Sequence, residues 1–178
     1  MMARRLVGVF EQEQQAVDAI EDLKRHGYSP SDISIVTRDR DRLSAMSEET
    51  GSMAPEGMAA GVTTGGIAGG ALGLLAGLGA LAIPGIGPIL AAGPIAAALS
   101  GAVAGAGALG LVGGLVGLGI PQQEAEEYEG HIKNDRILVM VQADESEAAA
   151  VSGILRRHES LNRDRYLEYD AYEDNKLV

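Results

Sequence analysis

The chain has no cysteine, no tryptophan and a single phenylalanine, Phe10. Without cysteine there is no disulfide, no thiol nucleophile and no thiolate metal ligand, which fits a reducing compartment. Positive charge is also scarce, with 14 Lys and Arg against 25 Asp and Glu, a net charge of −11. That balance excludes a broad nucleic-acid footprint, because no basic surface is available to displace counterions from phosphates. It also disfavours electrostatic docking onto an anionic membrane. After Arg4 and Arg5 only Leu6–Phe10 is apolar, too short a run for a secretory signal, so cytoplasmic synthesis is expected. The largest absence lies in the middle. From Gly57 to Gln123 there is no charged residue and no aromatic one, so both a phosphate-binding lysine and the aromatic belts of a membrane span are missing there.

That uncharged stretch holds 20 of the 25 glycines. Six fall four residues apart, at Gly57, Gly61, Gly65, Gly69, Gly73 and Gly77. A second series runs through Gly93, Ala97, Gly101 and Gly105 and resumes at Gly113 and Gly117, with Gly110 and Gly114 on a neighbouring line. Glycine costs a helix roughly 1 kcal/mol relative to alanine, so such a segment needs contacts that offset the loss. Small residues at this spacing let helix backbones approach closely. Four residues advance a helix by about 400°, so the first stripe turns by about 200° from end to end. That drift predicts neighbours on more than one side. Residues 57–83 and 95–120 are each long enough for a helix that crosses a bilayer of roughly 30 Å. Pro84, Gly85, Gly87, Pro88, Gly93 and Pro94 mark the turn between them, over 84–94.

The polar ends read as two similar halves. Residues 1–45 predict β-α-β. Leu6–Phe10 form a strand, and a helix over 12–26 carries Ala16, Ile20 and Leu23 on its inner side. Gly27 ends that helix, and a second strand contains Ile33, Ile35 and Val36. Residues 46–56 form a neck. Residues 121–135 predict an amphipathic connecting helix with Ala125, Tyr128 and Ile132 inward. The second half, 136–178, repeats the first. It has a strand at Ile137–Val141, then a helix capped by Asp144 with Glu147 at N3. Ala148, Val151, Ile154 and Leu155 form that helix's buried side, and a final strand covers Tyr166, Leu167 and Tyr169. The expected fold is α+β. A split ferredoxin-like domain places two helices over four strands, and a long glycine-rich helical hairpin is inserted at 57–120. Both halves then share one side of any membrane, so the insertion crosses an even number of times or not at all.

Motifs for chemistry are sparse. Gly105, Gly107 and Gly110 match G-x-G-x-x-G but lack the preceding strand that a dinucleotide site needs. His131, with Glu127 and Glu124 four and seven residues earlier on a similar face, is the best metal candidate, against the default of an exposed acidic helix. His26 and His158 read as helix-end residues. No serine has a matching His and carboxylate. The chain is expected not to be an enzyme, with no catalytic residues, cofactor, metal or small-molecule substrate.

Two runs carry a resemblance: AIPGIGPILAAGPIAAAL at Ala82–Leu99, and GLVGLGIPQQEAEEYEGHIKNDRILVMVQAD at Gly114–Asp144. With the opening β-α-β and its Tyr28–Ser29–Pro30 turn, they resemble bacterial general-stress and low-temperature-induced proteins that carry the heat-induced stress protein domain. The resemblance implies a stress-associated role with predicted membrane or glycine-zipper segments, and brings no catalytic residues. The leading expectation is a non-enzymatic homo-oligomer that inserts into or organises a membrane, with both polar halves cytoplasmic. A soluble self-assembling scaffold, filament or compartment component is the alternative, and an oligomeric pore the third.

Overall fold

The structure, a computed structural model, describes residues 3–50, 81–83, 87–92 and 110–166. The chain opens with β1 (Ala3–Phe10), and Leu6 to Phe10 are all buried. Helix α1 (Glu13–Arg25) follows and buries Ala16, Val17, Ile20 and Leu23 along one stripe. It ends where Gly27 takes φ +98, the left-handed turn expected after His26. The Tyr28–Ser29–Pro30 turn becomes a short 3-10 helix, Pro30–Asp32, which Ser29 and Asp32 close by reciprocal side-chain bonds to backbone N–H groups. It delivers the chain into β2 (Ile33–Thr37), buried throughout.

Helix α2 (Arg40–Thr50) comes next and runs into the expected neck, since Met46, Ser47 and Thr50 are helical and buried. Two strands then occupy part of the expected helical hairpin: β3 (Leu81–Ile83) and β4 (Gly87–Ala92). Leu81–Ile83 therefore does not end a helix, and Gly87 and Pro88 lie in a strand rather than a loop. Strand β4 sets Leu90–Ala92 against β2 and Gly87–Ile89 against β3. Pro88 thus sits where β2 no longer runs, and its missing N–H costs no bond to that strand. Of the second expected helix, 95–120, the described part is helix α3 (Gly110–Gly117), closed by a turn in which Gly119 has φ +89. Helix α4 (Gln122–Lys133) passes through Gly130 and buries Ala125, Tyr128 and Ile132, as the spacing predicts. Strand β5 (Ile137–Asp144) and helix α5 (Ala148–Arg157) complete the described elements.

The sheet order is β1-β5-β2-β4-β3, with every pair antiparallel. All eight residues of β1 pair with β5, from Ala3 opposite Asp144 to Phe10 opposite Ile137. That register keeps Asp144 in the strand. Asp144 ends the strand and directly precedes a 3-10 turn, Glu145–Glu147, that leads into α5; Glu147, the N-cap of α5 itself, makes no side-chain capping bond. Tyr166 also departs from expectation. It lies in a helical turn rather than a final strand, while Leu167 and Tyr169 fall outside the described residues. The fold is α+β.

The sheet is covered on both faces, where one covered face was expected. On the first face Leu6, Phe10, Ile33, Ile35, Val139 and Val141 pack under α1, α2 and α5. On the second, Val7, Val9, Val36, Ile89, Leu138 and Met140 pack under α3 and α4. Continuous burial along the central strands is the signature of this arrangement. Gly8 permits the closest approach on the first face. A Cβ there would lie 2.8 Å from Phe10 Cε2 and 2.9 Å from Leu155 Cδ2.

Candidate functional site

The uncharged segment returns to the polar body through α3. Leu111 and Leu115, one turn apart, are buried against the sheet, and Leu118 and Ile120 follow them. The Arg5 guanidinium donates to the Leu118 carbonyl, placing a cation at the carboxyl end of the helix, where the peptide dipoles favour it. The opposite side of α3 has no polar side chain. Val116 is 42% exposed, Gly113 is half-buried, and a Cβ at Gly117 would meet nothing within 4 Å, while Val112 packs against the second-face core. Of the proposed packing residues, Gly114 therefore lies inward and Gly113 and Gly117 lie outward, while Gly110 opens the helix with φ +54. Gly57, Gly61, Gly65, Gly69, Gly73, Gly77, Gly93, Ala97, Gly101 and Gly105 lie outside the described residues, as do Pro84, Gly85 and Pro94.

Beside α3, the start of α4 and the turn after α5 enclose an open polar groove of about 610 Å³. Glu124, Glu127 and His131 share the groove side of α4, as the sequence predicts, but two arginines take up their polar atoms. Arg165 pairs with Glu124 at 3.4 Å and with Glu127. Arg136 Nη1 donates to His131 Nδ1 at 2.8 Å, which requires an unprotonated acceptor nitrogen. Burial holds the His131 pKa below its ordinary value, helped by Arg136 and Arg165 and opposed by Glu127. Burial pulls Arg165 the other way, but Glu124, Tyr128 and Glu127 outweigh it and raise its pKa. A metal would have to displace both guanidinium groups, and among the described residues no group of three His, Asp or Glu side chains is placed to hold one. The arrangement is an ionic clasp joining α4 to the chain beyond α5.

A second polar centre links α1 to α5. Asp22 is only 8% exposed, and its Oδ2 accepts from Arg157 at 3.0 Å and His158 Nε2 at 3.2 Å. Arg25 and His26 lie within 3.6 Å of its other oxygen. Burial raises the Asp22 pKa, but the His158 hydrogen bond and the charges of Arg157 and Arg25 outweigh it, so the net shift is downward. Sequence reading missed this carboxylate because it lies on the inner half of α1 and its partners are 135 and 136 residues away. The i,i+4 spacing of Asp22 and His26 was the one local signal. Across the same helix pair, Tyr28 donates to Glu147 at 3.2 Å, and burial together with Glu147 pushes the Tyr28 pKa up to about 12. His26 and His158 thus serve as helix-end residues bound to a carboxylate.

The third element missed is the turn after α5. Leu161 N donates to Val9 O at 2.8 Å, Asn162 bonds to Val9 N and Val7 O, and Tyr166 donates to Val7 O. Tyr166, expected in a strand, instead reaches β1 through its hydroxyl, and only the path of the chain shows that contact.

No helix among the described residues is long and apolar enough to cross a membrane. Residues 5–81 match the family model of the heat induced stress protein YflT domain, so this part of the chain is similar to that stress-protein domain. The match covers β1, α1, β2 and α2 and includes the Tyr28–Ser29–Pro30 turn. It stops before the runs at Ala82–Leu99 and Gly114–Asp144 that carried the rest of the resemblance. No curated protein and no solved structure matches the chain.

Proposed function

We propose that this stress-domain protein is a non-enzymatic, self-associating assembly component whose glycine-rich segments are covered by neighbouring copies. The observation that carries this reading is how those segments are anchored. Residues 51–80 leave the body at the end of α2 and return to it in β3. Residues 93–109 leave from β4 and return in α3. Each segment starts and ends in one sheet-and-helix body, so each would have to cross a membrane twice or not at all. Two helical crossings of a layer of roughly 30 Å need about 40 residues. The segments have 30 and 17. Burial by protein removes that length requirement and uses the four-residue glycine spacing for close helix contact. The outward apolar side of α3 belongs to the same uncharged run of sequence.

The polar body is then the part that keeps the assembly dispersed, with its net negative charge in the cytoplasm. Its β1-β5-β2 strands, with α1 and α5, make the ferredoxin-like core of the two halves. The arginine-bound carboxylates support a structural role over an enzymatic one, with no cofactor and no nucleic-acid partner.

Recovery without detergent as a particle of several subunits is the expected result of extraction followed by sedimentation. Release from the membrane fraction only by detergent would overturn the proposal. Gly65→Leu with Gly69→Leu should shrink the particle; unchanged mass would remove those helices from the interface. The second reading is insertion into a membrane surface, favoured by the uncharged run from Gly57 to Gln123. A pore is the form of it that dye leakage from vesicles would reveal.

A further inference from the structure

We propose that Asn162 and Tyr166 form a side-chain strap that closes the β1 edge of the sheet to pairing with a second copy of this chain. The inference is independent of the glycine-rich segments. Strand β1 is the outermost of the described sheet, and an outermost strand presents a row of backbone N–H and C=O groups to any strand that can reach it. The sequence makes that edge hazardous. Leu6–Phe10 is a charge-free run of high strand propensity, bounded by Arg5 and Glu11. Its side chains are buried on both faces, so the backbone edge is its one route to a partner.

Among the described residues, the turn after α5 supplies side-chain groups to this edge. Asn162 Oδ1 accepts from Val9 N at 3.1 Å, and its Nδ2 donates to Val7 O at 2.6 Å. A carboxamide presents one acceptor and one donor in a plane, as a peptide group does, so this single side chain reproduces the bonds of an added strand. Leu161 N takes Val9 O at 2.8 Å, and the Tyr166 hydroxyl shares Val7 O. The strap is fastened at both ends. Glu159 accepts from Gln15 of α1 at 3.0 Å, and Arg165 is held by Glu124 and Glu127 of α4. These ties lie outside the sheet, whereas Tyr166 is itself buried in the first-face core.

The test compares the full-length protein with an Asn162→Ala, Tyr166→Phe double variant, by amide hydrogen exchange and sedimentation at several concentrations. Exchange at Val9 should rise on the order of tenfold or more, the equivalent of one lost hydrogen bond. The variant should also gain a concentration-dependent species of twice the parent mass, with Val7 and Val9 amides protected again within it. Faster Val9 exchange with an unchanged mass distribution would overturn the proposal. If the double variant does not fold, Asn162→Asp decides. It keeps the acceptor for Val9 N but sets a carboxylate oxygen against Val7 O, and should show the same doubling more weakly. A parent-like mass for that variant, with Val9 exchange raised, is the refuting result.

Discussion

Replacing Gly8 by alanine should destabilise the protein, although glycine in a strand interior is ordinarily the weaker choice by roughly 0.5–1 kcal/mol. The geometry reverses the sign. The new methyl carbon would lie 2.8 Å and 3.1 Å from two atoms of the Phe10 ring and 2.9 Å from Leu155 Cδ2. Both neighbours are 0% exposed and lie within the first-face core under α1 and α5, so neither can swing into solvent. Overpacking of this kind costs roughly 1–3 kcal/mol. Net of the strand preference, a loss of about 1–2 kcal/mol is expected. With a urea slope of roughly 1–3 kcal/mol/M, the unfolding midpoint should fall by about 0.5–1 M. The comparison belongs at fixed protein concentration, because self-association adds to apparent stability. Gly153→Ala supplies the opposite case. That glycine is inside α5 with nothing within 4 Å of its would-be Cβ, so alanine should stabilise by roughly 0.5–1 kcal/mol. A Gly8→Ala midpoint equal to or above that of the parent would refute the packing argument. Both variants moving in the same direction would show that backbone preference, not space, sets the outcome.

The remaining predictions concern charge. The folded His131 pKa lies below its ordinary value of 6.5, so the contribution of its neutral form is complete above pH 6.5 and lost as pH falls from there toward the folded value. His131→Asn, which keeps an acceptor for Arg136, should flatten stability across that window in pH-dependent melting, and an unchanged slope would count against the clasp. Asp22 is likewise lowered, from 3.8, so its contribution is complete above about pH 3.8 and fades as pH falls below it. Asp22→Asn should lower stability at neutral pH and shift the acid-unfolding midpoint upward. An ultraviolet titration should place Tyr28 ionisation about two units above an ordinary tyrosine, and Glu147→Gln should bring it down. Arg165→Gln should cost roughly 0.5–1 kcal/mol, because the pair is only partly shielded from water; a larger loss would mean that the clasp organises more than the turn.

Local patterns were legible where one face of an element meets the core. The inward residues of α1, α4 and α5 follow from spacing alone, because a helical stripe is a property of neighbours three and four apart. Gly27 was equally readable as the helix terminator, since its geometry is set by its own dihedrals. The glycine-rich run misled at Leu81–Ala92. Its composition has no polar residue to alternate with, so a strand buried between others looks like any other apolar stretch.

By itself, the sequence determined the uncharged middle, the acidic ends, the buried stripes of α1, α4 and α5 and the carboxylate face of α4, all of which depend on order and side-chain chemistry along the chain. Only the tertiary structure decided that β3 and β4 extend the sheet beyond β2, that α3 and α4 cover its second face, and that arginines hold Glu124, Glu127 and His131. It alone placed Asn162 against Val7 and Val9, 155 and 153 residues away. The reason is physical. Strand pairing, ion pairs and edge closure are contacts between distant residues, and their partners are chosen by the path of the chain rather than by the local pattern.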